Sequence, residues 1–261
     1  MKQRILTAVI ALLILVPLII YGKWPFIVIS IVFACVGLYE LMRMYNRNNG
    51  TIYELVAFLF LIGLVYPKQE ATLFSWTLTT YDFILLFLVV LLGIMVLSKN
   101  AFSFDQVSFM FFATVYMGTA FHVLIETRML GLNYLFFILF IIWATDSGAY
   151  FVGKFVGKRK LWPAISPNKT IGGALGGLIL AVIIGSIFHI VYPFSLPFYS
   201  IILISLVISV VGQLGDLVAS AMKRHYQIKD FGKLFPGHGG ILDRLDSLLF
   251  VLIVLSIIQF I

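Results

Sequence analysis

Residues 170–215, TIGGALGGLILAVIIGSIFHIVYPFSLPFYSIILISLVISVVGQLG, run without a single Asp, Glu, Lys or Arg. A helix crosses the hydrocarbon core of a bilayer with ~20 apolar residues, so the run is about twice too long for one span. Tyr192-Pro193 through Pro197 divides it, because proline ends a helix and tyrosine favours the membrane interface. Its apolar residues are continuous rather than alternating, which predicts helices and not the strands of a barrel.

The rest of the chain follows the same pattern. Charge-free runs cover 5–22, 24–39, 55–67, 83–98, 106–125, 129–145 and 247–261. Extending the shorter runs into interfacial residues predicts nine helices, near 5–22, 24–44, 51–66, 81–98, 106–126, 132–153, 171–192, 197–223 and 242–261. Composition agrees: 62% of the 261 residues are hydrophobic and 11% are charged, against roughly 25% charged in a soluble domain. A soluble globular enzyme lacks surface residues at that composition, and a disordered chain is excluded by the hydrophobicity. Cys35 is the only cysteine, so no disulfide framework or thiolate metal cluster forms within the chain. The expected class is an all-α, polytopic membrane protein, with about five helices in 1–130 and about four in 131–261.

Lys2 and Arg4 precede the first apolar run as in a signal peptide, but no small-residue cleavage site follows, and the segment reads as a retained anchor. With a cytoplasmic N-terminus, 15 of the 18 Lys and Arg residues fall on the inside, leaving Lys23, Lys68 and Arg128 outside. The C-terminus is then extracytoplasmic. The net charge of +7 follows from this retention rule and implies no nucleic acid. The longest cytoplasmic connections, 154–170 and 224–241, are also the most polar, and none is long enough for a separate soluble domain. Chemistry is therefore expected at the membrane itself, in the C-terminal helices at the cytoplasmic side.

Polarity is concentrated in the second half. After residue 130 there is no glutamate but there are five aspartates: Asp146, Asp216, Asp230, Asp243 and Asp246. A charge deep in a bilayer costs roughly 2.5–3.5 kcal/mol even on the lenient insertion scale, so such residues face a cavity or serve a function. Asp216, Ser220 and Lys223 share one helix face, as do Asp243, Asp246 and Ser247, while Arg244 lies off the second face. Short carboxylates presented from two helices suit a hard cation such as Mg2+, with positions left for phosphates. Aspartates that merely pair with Lys or Arg to tie helices together are the bland account, weaker for a cluster than for one acid. Between the two faces run Lys223, Arg224, Lys229 and Lys233, then Pro236-Gly237-His238-Gly239-Gly240. Cations suit phosphate oxygens, glycines let backbone approach closely, and the loop feeds a helix N-terminus whose N–H groups favour an anion. A second basic stretch, 153–170, ends in Ser166-Pro167-Asn168-Lys169-Thr170 and reads equally well as a headgroup contact or an ordinary basic loop. Gly172, Gly173, Gly176 and Gly177 have the spacing of close helix packing. His122 and His189, alone in apolar helices, read as hydrogen-bonded core residues.

The segment Ser220–Asp246, SAMKRHYQIKDFGKLFPGHGGILDRLD, resembles the signature of the phosphatidate cytidylyltransferases, and Asp146-Ser147-Gly148-Ala149-Tyr150-Phe151 and Ser166–Thr170 are similar to that family's upstream elements. The resemblance implies condensation of CTP with phosphatidate to CDP-diacylglycerol and pyrophosphate, in phospholipid biosynthesis at a bacterial plasma membrane. A phosphate monoester has its second pKa at about 6 and is already a nucleophile at neutral pH. Catalysis then rests on positioning two polyanions and neutralising their charge. On this reading Asp216, Asp243 and Asp246 hold Mg2+, a second cation being left open, and these three with Lys223 are the catalytic set. Ser220, Arg224, Lys229, Lys233, His238, Gly239, Gly240, Arg244, Lys169 and Asp146 surround the phosphates of CTP and phosphatidate. Where many members carry a glutamate, this chain has Gly172. The glycine-rich helix faces leave room for a homodimer.

Two alternatives satisfy part of this pattern. A CTP-dependent polyprenol-type lipid kinase would need the same metal, cations and helices. A cation-coupled transporter would use Asp146 and Asp216 as its coupling site, although no paired half-helices repeat along the chain.

Overall fold

The computed structural model describes residues 13–45, 52–66, 71–73, 76–235, 237 and 239–261. Among them the chain forms α1 (13–21), α2 (Lys23–Tyr45), α3 (Ile52–Val65), α4 (Thr80–Leu97), α5 (Phe104–Leu130), α6 (Leu132–Val156), α7 (Ile171–Val191), α8 (Phe198–His225) and α9 (Leu242–Ile257). Six of these, α2 and α4 to α8, are long and apolar enough to cross a membrane, and α3 and α9 are shorter, at 14 and 16 residues. The first part of the expected helix 5–22 lies outside the described residues.

Sequence chemistry accounts for the boundaries. The charge-free run at 170–215 is broken where its two prolines fall: α7 stops at Val191 and α8 starts after Pro197. Thr79 and Asp82 form a capping box at α4, with the Asp82 N–H donating to Thr79 Oγ1 and the Thr79 N–H to Asp82 Oδ2 at 2.9 Å. Thr170 Oγ1 accepts from the Gly173 N–H and caps α7.

The chain is all-helical in architecture, as expected, and two short antiparallel hairpins lie in its connections. One pairs β1 (Ala71–Leu73) with β2 (Trp76–Leu78), and the other pairs β3 (Lys160–Trp162) with β4 (Ser166–Thr170). Pro163 and Pro167 cannot extend a helix through the second connection. The backbone satisfies itself across a tight ladder instead, with Lys160 opposite Thr170 and Trp162 opposite Ser166.

The chain divides into two compact units. The first takes Met1–Glu126 with the later segment Phe231–Leu242. Its core is aliphatic and aromatic, with Leu38, Leu41, Leu61, Phe87, Leu91, Met117 and Phe121 all buried. Gly118 lies against Leu64, and Gly37 against Met117 and Leu242. His122 approaches Glu126 at 3.2 Å on the same helix.

The second unit takes Thr127–Asp230 with Asp243–Ile261. Here α6 and α7 press backbone to backbone: a Cβ added at Gly148 would lie 2.7 Å from the Gly176 carbonyl oxygen, and one at Gly177 would lie 2.8 Å from that of Thr145. Small residues permit this approach, which is how helices associate where no hydrophobic effect separates protein from lipid tails. The glycine face of α7 is therefore spent inside the chain. Buried Thr145 donates to the Ile141 carbonyl and bonds to Ser209 of α8 at 2.9 Å. Phe137, Phe188, Phe194 and Phe260 pack together in the same unit, with Phe137 edge to face on Phe188 and Phe194, and Phe194 edge to face on Phe260. There His189 Nδ1 accepts from the Phe194 N–H at 3.2 Å, so this histidine is a packed core residue as its sequence context suggested.

Candidate active site

Four of the acidic residues of the second unit come from three predominantly apolar helices. Asp146 lies in α6, Asp216 in α8, and Asp243 and Asp246 in the first turns of α9. Packing brings them together. A Cβ added at Gly215 would lie 3.2 Å from the Asp246 carbonyl oxygen and 2.8 Å from Phe250 Cβ, so α8 and α9 touch directly beside both carboxylates. Asp246 lies within electrostatic reach of Asp216, Asp243 and Lys223, and Asp146 within reach of Asp216 and Lys169.

Two lysines enter this acidic group. Lys169 reaches Asp216 Oδ2 at 2.5 Å, brought there by β4, so the hairpin in the basic connection has a local task. This pair is open to water, with side chains 26% and 37% exposed. Lys223 reaches Asp243 Oδ1 at 2.9 Å, and that pair is enclosed, at 16% and 4%. A cation on Asp243 thus comes from α8, while adjacent Arg244 is an exposed residue. Ser220 Oγ donates to Asp216 Oδ1 at 3.4 Å, the contact expected four residues along one helix face. Asp246 Oδ1 accepts from the Ser247 N–H at 2.8 Å.

Asp146, Lys169, Asp216, Ser220, Lys223, Asp243 and Asp246 thus form one polar group in the second unit. The remaining candidates are placed differently. Arg224 Nε donates to the Ile165 carbonyl at 3.4 Å, and Lys229 is exposed. Lys233, Gly239 and Gly240 belong to the first unit, and His238 lies outside the described residues. Among the described residues no three acidic, histidine or cysteine side chains are gathered closely enough to hold a metal ion as they stand. The donor chemistry is nevertheless that of a hard cation, being carboxylate and hydroxyl oxygen throughout.

Two of the N–H groups at the start of α9 already have an acceptor. Those of Ile241 and Leu242 donate, each at 3.0 Å, to Oε1 and Oε2 of Glu40. In the sequence Glu40 ends the charge-free run 24–39, which hides its role. The signal was present: an acid inside an apolar helix is as exceptional at position 40 as at 146 or 216.

Comparison with known proteins places this arrangement. Residues 2–261 match the model of the Cytidylyltransferase family. The phosphatidate cytidylyltransferase of Bacillus subtilis (strain 168) is 47% identical over 255 residues, covering 97% of this chain and 95% of the relative. That of Staphylococcus saprophyticus is 41% identical over 265 residues, with 99% and 98% covered, and that of Staphylococcus aureus (strain COL) is 40% identical over 258 residues, with the same coverage. The acidic helices, the paired lysines and the glycine-rich connection thus sit in a chain similar to these enzymes from end to end, and it belongs to the cytidylyltransferase family.

Proposed function

We propose that the chain transfers the cytidylyl group of CTP to phosphatidate, giving CDP-diacylglycerol and pyrophosphate, and that the polar group of the second unit is where transfer occurs. A phosphate oxygen of the lipid attacks the alpha phosphorus of CTP. The bond from that phosphorus to the bridging oxygen breaks, and pyrophosphate leaves with the electron pair. No side chain has to remove a proton from the nucleophile, which is already ionised. What the protein supplies is alignment and charge.

The observation that carries this reading is the clustering of four carboxylates from three predominantly apolar helices with two lysines, one from α8 and one from β4. Lys169, in a half-open pair, can turn from Asp216 to a phosphate at small cost. Lys223, enclosed against Asp243, holds that carboxylate in place. Mg2+ would be held by Asp216 and Asp246 with Asp243 beside them, and when bound it supplies positive charge to the phosphates. Asp146 belongs with this acidic side by position, so its role is with the cation and not with phosphate oxygens. A cytoplasmic N-terminus puts the connections 154–170 and 224–241 on the side where CTP is found, and Ile261 on the other. A homodimer would need a surface other than the α7 glycines, which are covered within the chain.

The deciding experiment incubates the purified chain with phosphatidate and CTP labelled at the alpha or at the gamma phosphorus. Cytidylyl transfer puts the alpha label in lipid and the gamma label in pyrophosphate. In a parallel incubation that supplies a polyprenol, gamma label in the lipid would identify a lipid kinase, and no label in any lipid would leave a transporter as the better reading.

A further inference from the structure

Glu40 lies in α2, and its residue is only 4% exposed. Burying a carboxylate is unfavourable unless several donors meet it. Here both oxygens are engaged by backbone, one by the Ile241 N–H and the other by the Leu242 N–H. The same carboxylate meets the chain at two further points: a methyl group added at Gly232 or at Gly240 would run into it. One side chain therefore touches both ends of the connection 232–240. That connection is folded back on itself, with the Phe235 N–H donating to the Gly239 carbonyl at 2.9 Å and Gly239 at a φ of 87°. All these contacts lie within the first unit.

The local sequence explains why help comes from so far away. The first N–H groups of a helix lack partners within it. The residues before α9 are Gly239, Gly240 and Ile241, none of which carries a capping oxygen. Glu40 supplies two acceptors and a negative charge, both favourable at a helix N-terminus. The next residue is Asp243, and Asp246 follows one turn later. Any slack in the backbone at 241–242 passes directly into the two carboxylates placed at the reaction.

We infer that Glu40 is a positioning residue for cytidylyl transfer: by clamping Gly232, Gly240, Ile241 and Leu242 it fixes the glycine-rich connection and the backbone from which Asp243 and Asp246 project. The inference rests on the function proposed above. A misplacement of about 1 Å at reacting groups costs on the order of a hundredfold in rate, so a partly loosened clamp is expected to act on turnover more than on binding.

The test uses the purified full chain with phosphatidate and alpha-labelled CTP. Glu40→Gln keeps the shape but puts an amide N–H2 where one acceptor stood. It is expected to lower kcat about tenfold and to leave KM for CTP within about twofold. In an Asp243→Glu background, where the carboxylate is already displaced, the same change is expected to cost less than about twofold more. A residue that only supported the fold would multiply the two losses. Should Glu40→Gln fail to fold, Gly232→Ala pushes on the same carboxylate from the other side and is expected to give the same pattern. Unchanged kcat, multiplicative losses, or tighter CTP binding in Glu40→Gln would overturn the inference, the last because the carboxylate would then be a competitor of the phosphates. A wild-type chain that transfers no alpha label sinks the proposed function itself; an active wild type with an indifferent Glu40 sinks only this role.

Discussion

The two lysine–aspartate pairs of the second unit should differ sharply in what they contribute, and Lys223→Met and Lys169→Met measure the difference. Lys223 and Asp243 are 2.9 Å apart with side chains 16% and 4% exposed. Removing a cation from beside an enclosed carboxylate costs about 3–5 kcal/mol, and we take the lower end because 16% of the lysine side chain is still wetted. Lys169 and Asp216 are closer, at 2.5 Å, but 26% and 37% exposed, and open pairs contribute about 0–1 kcal/mol once solvent competes. Distance alone ranks the pairs one way and burial the other. Burial should win, because the water around Asp216 replaces what Lys169 supplied. Thermal unfolding in detergent reads this directly. At roughly 2–4 °C per kcal/mol for a chain of this size, Lys223→Met should lower Tm by about 6–12 °C and Lys169→Met by under about 4 °C. Double-mutant cycles with Asp243→Asn and Asp216→Asn should give coupling of about 2–3 kcal/mol for the first pair and under ~1 kcal/mol for the second. Activity should separate them the other way, with Lys169→Met raising KM for CTP or phosphatidate while the protein stays folded. Equal losses of stability, or weak coupling between Lys223 and Asp243, would refute the reasoning and with it the division of labour between the lysines.

Asp216→Asn and Asp246→Asn should each cut turnover by at least about a hundredfold without preventing insertion, and the double variant should lose little more than the worse single, because groups serving one charge act as a unit; additive losses in the rate of alpha-label transfer would separate their roles. Gly148→Ala places a methyl 2.7 Å from the Gly176 carbonyl oxygen and should cost about 1–3 kcal/mol by forcing α6 from α7, whereas Gly93→Ala meets nothing within 4 Å and should be neutral or slightly stabilising. Thermal unfolding of the two variants side by side checks this, and equal effects would mean that the close approach of α6 and α7 is not what holds the second unit together.

How far the fold could be read from the sequence follows from the solvent. In a bilayer every backbone group must be satisfied within its own segment, so a long charge-free run has almost no choice but to be helical. The expected helices 171–192 and 197–223 accordingly lie within two residues of α7 and α8, and 81–98 within one of α4. The hairpins escaped because three-residue strands are too short to show a period of two, and the proline-bearing connection between α6 and α7 looked like an ordinary basic loop. For the polar group, helical spacing correctly put Asp216 and Ser220 on one face, since that contact is local. It was silent on which lysine meets which aspartate, because Lys169 to Asp216 and Lys223 to Asp243 depend on how separate elements pack.

Glu40 shows the same limit at greater range and also a correctable error. Its partners Ile241 and Leu242 are about two hundred positions away, and no local pattern connects them. Its oddity, however, is local: α2 is apolar from Trp24 to Tyr39, and then presents an acid before the helix is over. Glu40 also ends the charge-free run 24–39, so it looks like a span end, whereas Asp146 and Asp216 stand well inside their helices and do come together. The connection 231–240 sharpens the point. Its glycines read as room for a substrate phosphate, yet Gly232 and Gly240 leave room for the carboxylate of Glu40. A glycine-rich approach to a helix N-terminus therefore specifies an anion, and whether the anion is a ligand or a remote side chain is settled only by finding which buried acid the chain has left to place there.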